Sequence, residues 1–413
     1  MITARLLDLF GPNADAGRKA FHNGTHRSQS PQQTLAWITP SLKAMGITRV
    51  ADITGLDCIG IPVTMVVRPN SRSLAVSQGK GLCLASAQVS GIMESIETYH
   101  SEHISQPLKL TEQAKLRQSD RVINTDRMAK AGEHHFHDHV RMLWIQGIDL
   151  LTGEPVWLPY EAVHTDFTVP RPSGSGYFPA NTNGLASGNC QVEATAHALY
   201  EVIERDAIAL WHQRESYSDN IVELGSITDN NIASLLLKLG NAKMDVRVWN
   251  ATSNIGIPCF HCLIIGAENQ HADPEFGSGC HPDSHVALLR ALTEAVQART
   301  TFIAGSRDDF GSEPYSKKAR SHRLRSCRNL MSAEGRTVDI ISVASTSFDT
   351  VAEDLEWTLQ QLKSSGINEV IWVNLSLSDF NIPVARVVVP GLEGAHDATS
   401  GDYVPGSRVQ IVA

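Results

Sequence analysis

Residues 181–207 read NTNGLASGNCQVEATAHALYEVIERDA. The opening residues are glycine, asparagine and other small side chains, the composition of a turn-rich loop. They close a longer Gly/Ser/Asn/Pro stretch that begins at Arg171. From Gln191 apolar residues recur at helical spacing, and the pattern predicts a helix over 191–215. That helix carries Glu193, Glu201, Glu204 and Arg205 among alanines and aliphatic residues. At about 100° per residue, Glu204 returns to roughly the azimuth of Glu193, and Glu201 lies about 80° away. Ala194, Ala198, Leu199 and Val202 fill the other faces.

Two further segments share this texture. Residues 84–102 (LASAQVSGIMESIETYHSE) predict a helix with Glu94 and Glu97 three apart, on one face. Residues 281–305 predict another, N-capped by Asp283 or Ser284. Its Arg290, Glu294 and Gln297 form an i, i+4, i+7 stripe, with Arg299 nearby. Taken singly, a Glu pair is a solvated helix face and Arg290–Glu294 a surface ion pair worth little. Taken together, the polar residues lie in helices whose neighbours look buried, and buried charges need partners. Carboxylates converging with arginines suit Mg²⁺ ions that bridge phosphate oxygens.

Working outward, RVADITGLDCIGIPVTMVVRP (49–69) predicts two short strands around a glycine-rich turn. A strand then runs into the loop Ser77-Gln78-Gly79-Lys80-Gly81, where Lys80 can neutralise phosphate. The spacing is not that of a Walker A loop, and no G-x-G-x-x-G follows a strand. Residues 33–46 read as an amphipathic lead-in broken at Pro40, and 105–140 as polar and irregular. Strands are expected within 141–168, around Thr152-Gly153, and at 245–252 and 258–267. Residues 228–240 predict a helix. The C-terminal part reads strand, helix (352–366), strand, strand, and there is no short-period repeat.

Other clusters have structural readings. Cys259 and Cys262 have metal-like spacing, but a strand points residues three apart to opposite faces, so they read as core. The histidine-rich run 133–139 reads as a solvated loop. The basic run Lys317–Arg328 reads as a mobile, solvated loop that can attract an acidic peptide, a protein or RNA. Asp52, Asp57 and Arg68 flank the first strands.

The chain has 413 residues, with 35 Lys+Arg against 44 Asp+Glu, for a net charge of −9. At 42% hydrophobic and 19% charged it can bury a large core. The acidic balance disfavours bulk nucleic-acid binding. Seven scattered cysteines fit a reducing compartment. No signal-peptide core and no membrane-length apolar run is present. A soluble, cytoplasmic protein with no nucleic-acid or membrane partner is expected.

The blocks TGLDCIGIPV, SQGKG with SAQVSGIMESIE, residues 181–207, HPDSHVALLRALTEAVQAR and PVARVVVPGLE occur in this order. Together, over about residues 45–395, they resemble the YcaO family of ATP-dependent enzymes that activate backbone amides. The resemblance implies a mixed α/β fold with helices packed on mixed sheets and an ATP site between helices, without a P-loop. It implies a helical lead-in over 1–45 and one catalytic domain over 46–413.

Carried over by motif, Ser77 and Lys80 contact phosphate or nucleotide. Glu94, Glu97, Glu193, Glu201, Glu204 and Glu294 hold Mg²⁺. Asn183, Asn189, Arg290 and Gln297 help bind ATP, and Glu204, Arg205, Arg290 and Glu294 act in catalysis. The implied reaction phosphorylates an amide oxygen; a nucleophile then adds at carbon and phosphate leaves. A Cys, Ser or Thr side chain gives an azoline, and an external sulfur source gives a thioamide.

The tail YVPGSRVQIVA lacks the Pro-rich ending of azoline-forming members, and no leader-binding domain is expected. The chain resembles the branch that works with a TfuA-like partner on a ribosomally made peptide or protein. Thioamidation or a related sulfur insertion is therefore expected, from a homodimer. The alternatives are an azoline-forming cyclodehydratase and a non-catalytic scaffold of a peptide-maturation complex.

Overall fold

The computed structural model describes residues 9–10, 17–131, 135–213, 219–267, 273–309, 311–394 and 404–412, the side chains of 410–412 excepted. Its helices are α1 (Pro31–Ile38), α2 (Leu84–Glu102), α3 (Gln113–Leu116), α4 (Gln191–His212), α5 (Asn230–Asn241), α6 (Ser284–Ala304), α7 (Lys317–Ser332), α8 (Val351–Ser364) and α9 (Ser407–Val412). The first strands are β1 (Arg49–Asp52), β2 (Val63–Val67), β3 (Val76–Lys80), β4 (Leu108–Glu112), β5 (Arg141–Asp149), β6 (Pro155–Pro159) and β7 (Leu185–Ser187). The rest are β8 (Ile221–Val222), β9 (Met244–Asn250), β10 (Cys259–Gly266), β11 (Glu275–Cys280), β12 (Thr337–Val338), β13 (Ile371–Asn374) and β14 (Val384–Val388).

Internal contacts separate the chain into two compact units. One comprises Met1–Ala20, Ile96–Gln213 and Phe348–Ala413; the other comprises Phe21–Ser95 and Arg214–Ser347. The division falls inside α2, so Glu94 and Glu97 belong to different units. The expected lead-in, 1–45, divides at Ala20.

In the Phe21–Ser95/Arg214–Ser347 unit, β1, β2 and β3 form an antiparallel sheet. A second sheet runs β11-β10-β9-β8-β12, antiparallel except for the β8–β12 pair. Helix α6 packs on β11 and β10 and also meets β3. Every residue of β10 is buried, His261 included, which explains why the strand shows no alternation of apolar and exposed polar residues. Val248, Phe260 and Ile264 meet Ala287, Leu288, Ala291 and Leu292 of α6 in one core. Each large side chain so buried contributes about 1.5–3 kcal/mol. Cys262 lies in this core and Cys259 is buried too, as expected, and burial raises the Cys262 thiol far above its ordinary range.

In the other unit the sheet order is β4-β5-β13-β14-β7, with β6 paired to β5. Helix α4 packs on β14, β7 and α8. Of its 22 residues, 17 are buried, Glu193, Glu204 and Asp206 among them, while Glu201 and Arg205 are partly exposed. The β5–β6 turn at Thr152-Gly153 matches the expected hairpin, with Gly153 at a φ of 80°.

Four expectations need correction. Residues 77–80 are strand, not loop, because β3 pairs along its length with β2. The basic run is helix α7, capped by Ser316, not a loop. The lead-in helix spans Pro31–Ile38, ahead of Pro40, rather than 33–46. Helix α4 ends at His212, and the remainder of its expected span to 215 lies outside the described residues apart from Gln213. Of the histidine-rich run, Glu133 and His134 also lie outside the described residues. Among the described residues no helix is long and apolar enough to cross a membrane.

Candidate functional site

The three carboxylate-bearing helices are built alike. Strands β3, β7 and β11 end at residues 80, 187 and 280, each four residues before the start of α2, α4 or α6. Glu94, Glu201 and Glu294 are the eleventh residue of their helices. Glu97, Glu204 and Gln297 are the fourteenth. The protein thus repeats one strand–turn–helix element, separated by 107 and then 93 residues, and puts a carboxylate at one position each time.

Glycine makes this packing dense. A Cβ on Gly79 would sit 2.0 Å from the Ala87 carbonyl oxygen and 2.1 Å from the Gly91 nitrogen. On Gly279 it would sit 2.1 Å from the Ala287 oxygen, the matching place in the third copy. The glycines of SQGKG therefore let a strand backbone lie on a helix backbone.

In the Phe21–Ser95/Arg214–Ser347 unit, each helix glutamate reaches back to its own strand. Glu94 Oε2 accepts from the Gln78 amide at 3.4 Å, and Glu294 Oε1 from the Ser278 amide at 3.3 Å. Glu294 also pairs with Lys80 at 2.7 Å. Gln297 donates to the Gln78 carbonyl at 3.2 Å. Ser77 is buried in β3. Lys80, Glu94, Arg290, Glu294 and Gln297 thus share this unit with Ser77. Arg299 is buried and pairs with Asp57 at 2.9 Å, a structural role for both.

In the other unit, Glu97 accepts from the Ser187 amide at 2.8 Å and from its hydroxyl at 2.6 Å. Glu193 and Glu204 are buried on α4, and Glu193 accepts from Asn189 Nδ2 at 2.9 Å. Glu201 faces Arg205 loosely, at 3.7 Å. The Asn183 amide donates to Asn181 Oδ1. Glu97, Asn183, Asn189, Glu193, Glu201, Glu204 and Arg205 fall in this unit.

The residues fit a magnesium nucleotide. The six glutamates offer hard oxygen donors, which Mg²⁺ prefers. Buried Asn183 Oδ1, Arg290 Nε and Gln297 Oε1 have no hydrogen-bond partner among the described residues. Buried polar atoms are almost always satisfied, so such atoms point to a ligand carrying donors and acceptors.

Asp206 and Arg386 are buried charged residues that helical or strand periodicity does not mark. Asp206 accepts from the Glu393 amide at 2.9 Å and pairs with Arg408 at 2.8 Å. Burial lifts its carboxyl to about 6 against the pull of Arg408. Arg386 is buried in β14. An arginine inside the apolar run VARVVV was the available signal.

A family model described as YcaO cyclodehydratase, ATP- and Mg²⁺-binding, matches residues 78–393. An uncharacterised protein in the tfuA 3′ region of Rhizobium leguminosarum bv. trifolii is 34% identical over 400 residues, 95% of this chain and 93% of its own. An uncharacterised protein of Methanothermobacter thermautotrophicus is 35% identical over 370 residues, covering 88% of this chain and 94% of its own. Among solved structures, YcaO from Methanopyrus kandleri bound with AMPPCP and Mg²⁺ superposes with a TM-score of 0.73 at 23% identity, covering 91% and 95% of the two chains. A heterocyclase in complex with substrate and cofactor gives a TM-score of 0.75 at 19% identity. That match covers 92% of this chain but only 55% of the heterocyclase. The fold, the repeated glutamates and the family match agree: the chain belongs to the YcaO family of ATP- and Mg²⁺-binding enzymes.

Proposed function

We propose that the protein activates a backbone amide of a ribosomally made peptide or protein, and that the product is a thioamide or a related sulfur insertion made with a TfuA-like partner. The observation that carries the first part is the carboxylate at one position of three strand–helix elements, with Glu193 and Glu204 buried beside it in sequence on α4. The second part draws support from the Rhizobium relative, which is described by its place next to tfuA.

An amide is a poor electrophile with a poor leaving group, and bound Mg²⁺·ATP supplies a phosphoryl group that makes its oxygen a leaving group. Such transfer needs positioning and charge stabilisation more than a protein nucleophile. Glu94, Glu97, Glu193, Glu201, Glu204 and Glu294 would hold the metal. Lys80 and Arg290 would neutralise phosphate, with Ser77, Asn183, Asn189 and Gln297 orienting the nucleotide. Glu204, Arg205, Arg290 and Glu294 would stabilise charge during transfer. In the net reaction the peptide oxygen leaves with phosphate and sulfide sulfur takes its place.

The family description and the heterocyclase neighbours favour a second reading, in which a Cys, Ser or Thr side chain of the substrate adds instead. We take the enzyme to be a cytoplasmic homodimer. The test is mass spectrometry of a precursor peptide encoded beside the gene, incubated with the protein, its TfuA-like partner, ATP, Mg²⁺ and sulfide. Exchange of oxygen for sulfur supports the proposal. Loss of one water per site gives the azoline reading, and no ATP consumption gives a scaffold.

A further inference from the structure

Helix α7 carries six Lys and Arg residues and no Asp or Glu, in a chain whose net charge is −9. Nothing in the proposed nucleotide site uses it. At about 100° per residue its side chains sort into two faces. Arg320 and Arg323 fall within about 40° of buried Cys327. These two serve the fold. Helix α7 packs on β10, Arg320 pairs with Asp273, and Arg323 pairs with Glu275 and lies 4.6 Å from the centroid of the Phe302 ring.

The opposite face is different. Lys318 and Arg325 lie within about 20° of one another and about 160–180° from Cys327. Lys317 and Arg328 flank them, and all four are exposed. Lys317, Lys318 and Arg325 make no ion pair among the described residues. The helix holds no Phe, Tyr or Trp. This arrangement costs stability. Lys317 and Lys318 stand in the first turn, where the helix dipole disfavours cations, and Arg325 and Arg328 are like charges three apart. A face kept only for solubility would mix both signs.

Charge complementarity names the occupant. From Lys317 to Arg328 the helix rises about 16 Å, the length of about five extended residues. We propose that the outer face of α7 docks a short acidic segment of the polypeptide on which the enzyme acts, with carboxylates against Lys318 and Arg325. The proposal rests on the reading of the substrate as a polypeptide and adds a recognition element to it. A nucleic acid fits less well. The face offers no ring on which a base would stack, and the net negative charge of the chain repels a long polyanion beyond the patch.

The test uses the full chain and a fluorescein-labelled oligoglutamate peptide, followed by anisotropy at low ionic strength. Oligoglutamine and single-stranded RNA of equal length are the comparisons. Lys318→Gln with Arg325→Gln should bind oligoglutamate about tenfold more weakly than wild type. Lys318→Arg with Arg325→Lys keeps both charges and should stay within about twofold of wild type. Lys43→Gln with Arg49→Gln removes the same charge from exposed positions elsewhere in this unit, and should also stay within about twofold. All three double variants should bind Mg²⁺·AMPPCP like wild type in calorimetry.

Equal weakening by the two glutamine pairs reports overall charge and overturns the docking face. So does wild-type binding that does not prefer oligoglutamate to oligoglutamine. RNA that binds more tightly than oligoglutamate, and is lost with Lys318 and Arg325, overturns it in favour of nucleic acid. A change of sedimenting mass in Lys318→Gln with Arg325→Gln makes the face an interface between copies and overturns it too. The two levels separate in wild type. Oligoglutamate binding without Mg²⁺·AMPPCP binding sinks the amide-activation reading and leaves the docking face standing; the reverse sinks only the docking face.

Discussion

Lys80 and Glu294 are 214 residues apart in sequence, yet their charged atoms are 2.7 Å apart. The pair ties the end of β3 to the middle of α6. Both side chains are partly exposed, at 19% and 26%, so the pair adds little stability. In the proposed site its value is in placement: the glutamate holds the ammonium that we propose neutralises phosphate. Lys80→Met should change unfolding free energy by less than about 1 kcal/mol in urea denaturation. It should lower kcat/KM for ATP by at least about tenfold.

Buried Glu204 is the sharper probe of the carboxylates. Glu204→Gln keeps the shape and removes the charge. ATP turnover should fall at least about a hundredfold with the thermal midpoint retained within a few degrees. Exposed Glu334→Gln should leave turnover unchanged. Equal turnover in both variants would contradict the site.

The strand–helix contact predicts a stability effect at Gly79. An alanine there would push its Cβ into backbone atoms of Ala87 and Gly91, which cannot swing away. Gly79→Ala should cost at least about 2 kcal/mol in chemical denaturation. Gly55→Ala is the control, since its Cβ would meet nothing within 4 Å.

Acid stability should report His100. The ring is fully buried, its Nδ1 is hydrogen-bonded to the Ile96 carbonyl at 2.8 Å, and burial lowers its pKa to about 4 from 6.5. Below pH 6.5 the unfolded chain takes up a proton that the folded chain refuses. The contribution is complete above 6.5 and is lost as pH falls towards 4, by about 3 kcal/mol. Urea midpoints measured from pH 7 to pH 4 should fall less steeply for His100→Gln.

The helices α2, α4 and α6 were legible because apolar periodicity and caps such as Asp283 are local signals. Other features needed the tertiary structure. Gly79 and Gly81 carry low strand propensity, so 77–81 reads as loop, yet pairing with β2 and contact with α2 make 77–80 a strand. In α7 the buried face is partly arginine: Arg323 pairs with Glu275 and lies over the Phe302 ring, beside buried Cys327. An apolar stripe was therefore missing. The repeat is faint in the sequence because its three copies share little beyond Ala87, Ala194 and Ala287 and the glutamates seven residues further on. The glutamates of α2, α4 and α6 are legible by charge, whereas buried Arg386 is masked by its apolar strand.

The central proposal is that the repeated glutamates bind a magnesium nucleotide. Calorimetric titration with Mg²⁺·AMPPCP tests it most directly, in wild type and in Glu94→Gln, Glu201→Gln and Glu294→Gln, one from each copy of the element. The account predicts one nucleotide per chain for wild type and a loss of at least about tenfold in affinity for every variant, with folding intact. Wild-type affinity in all three variants would contradict it.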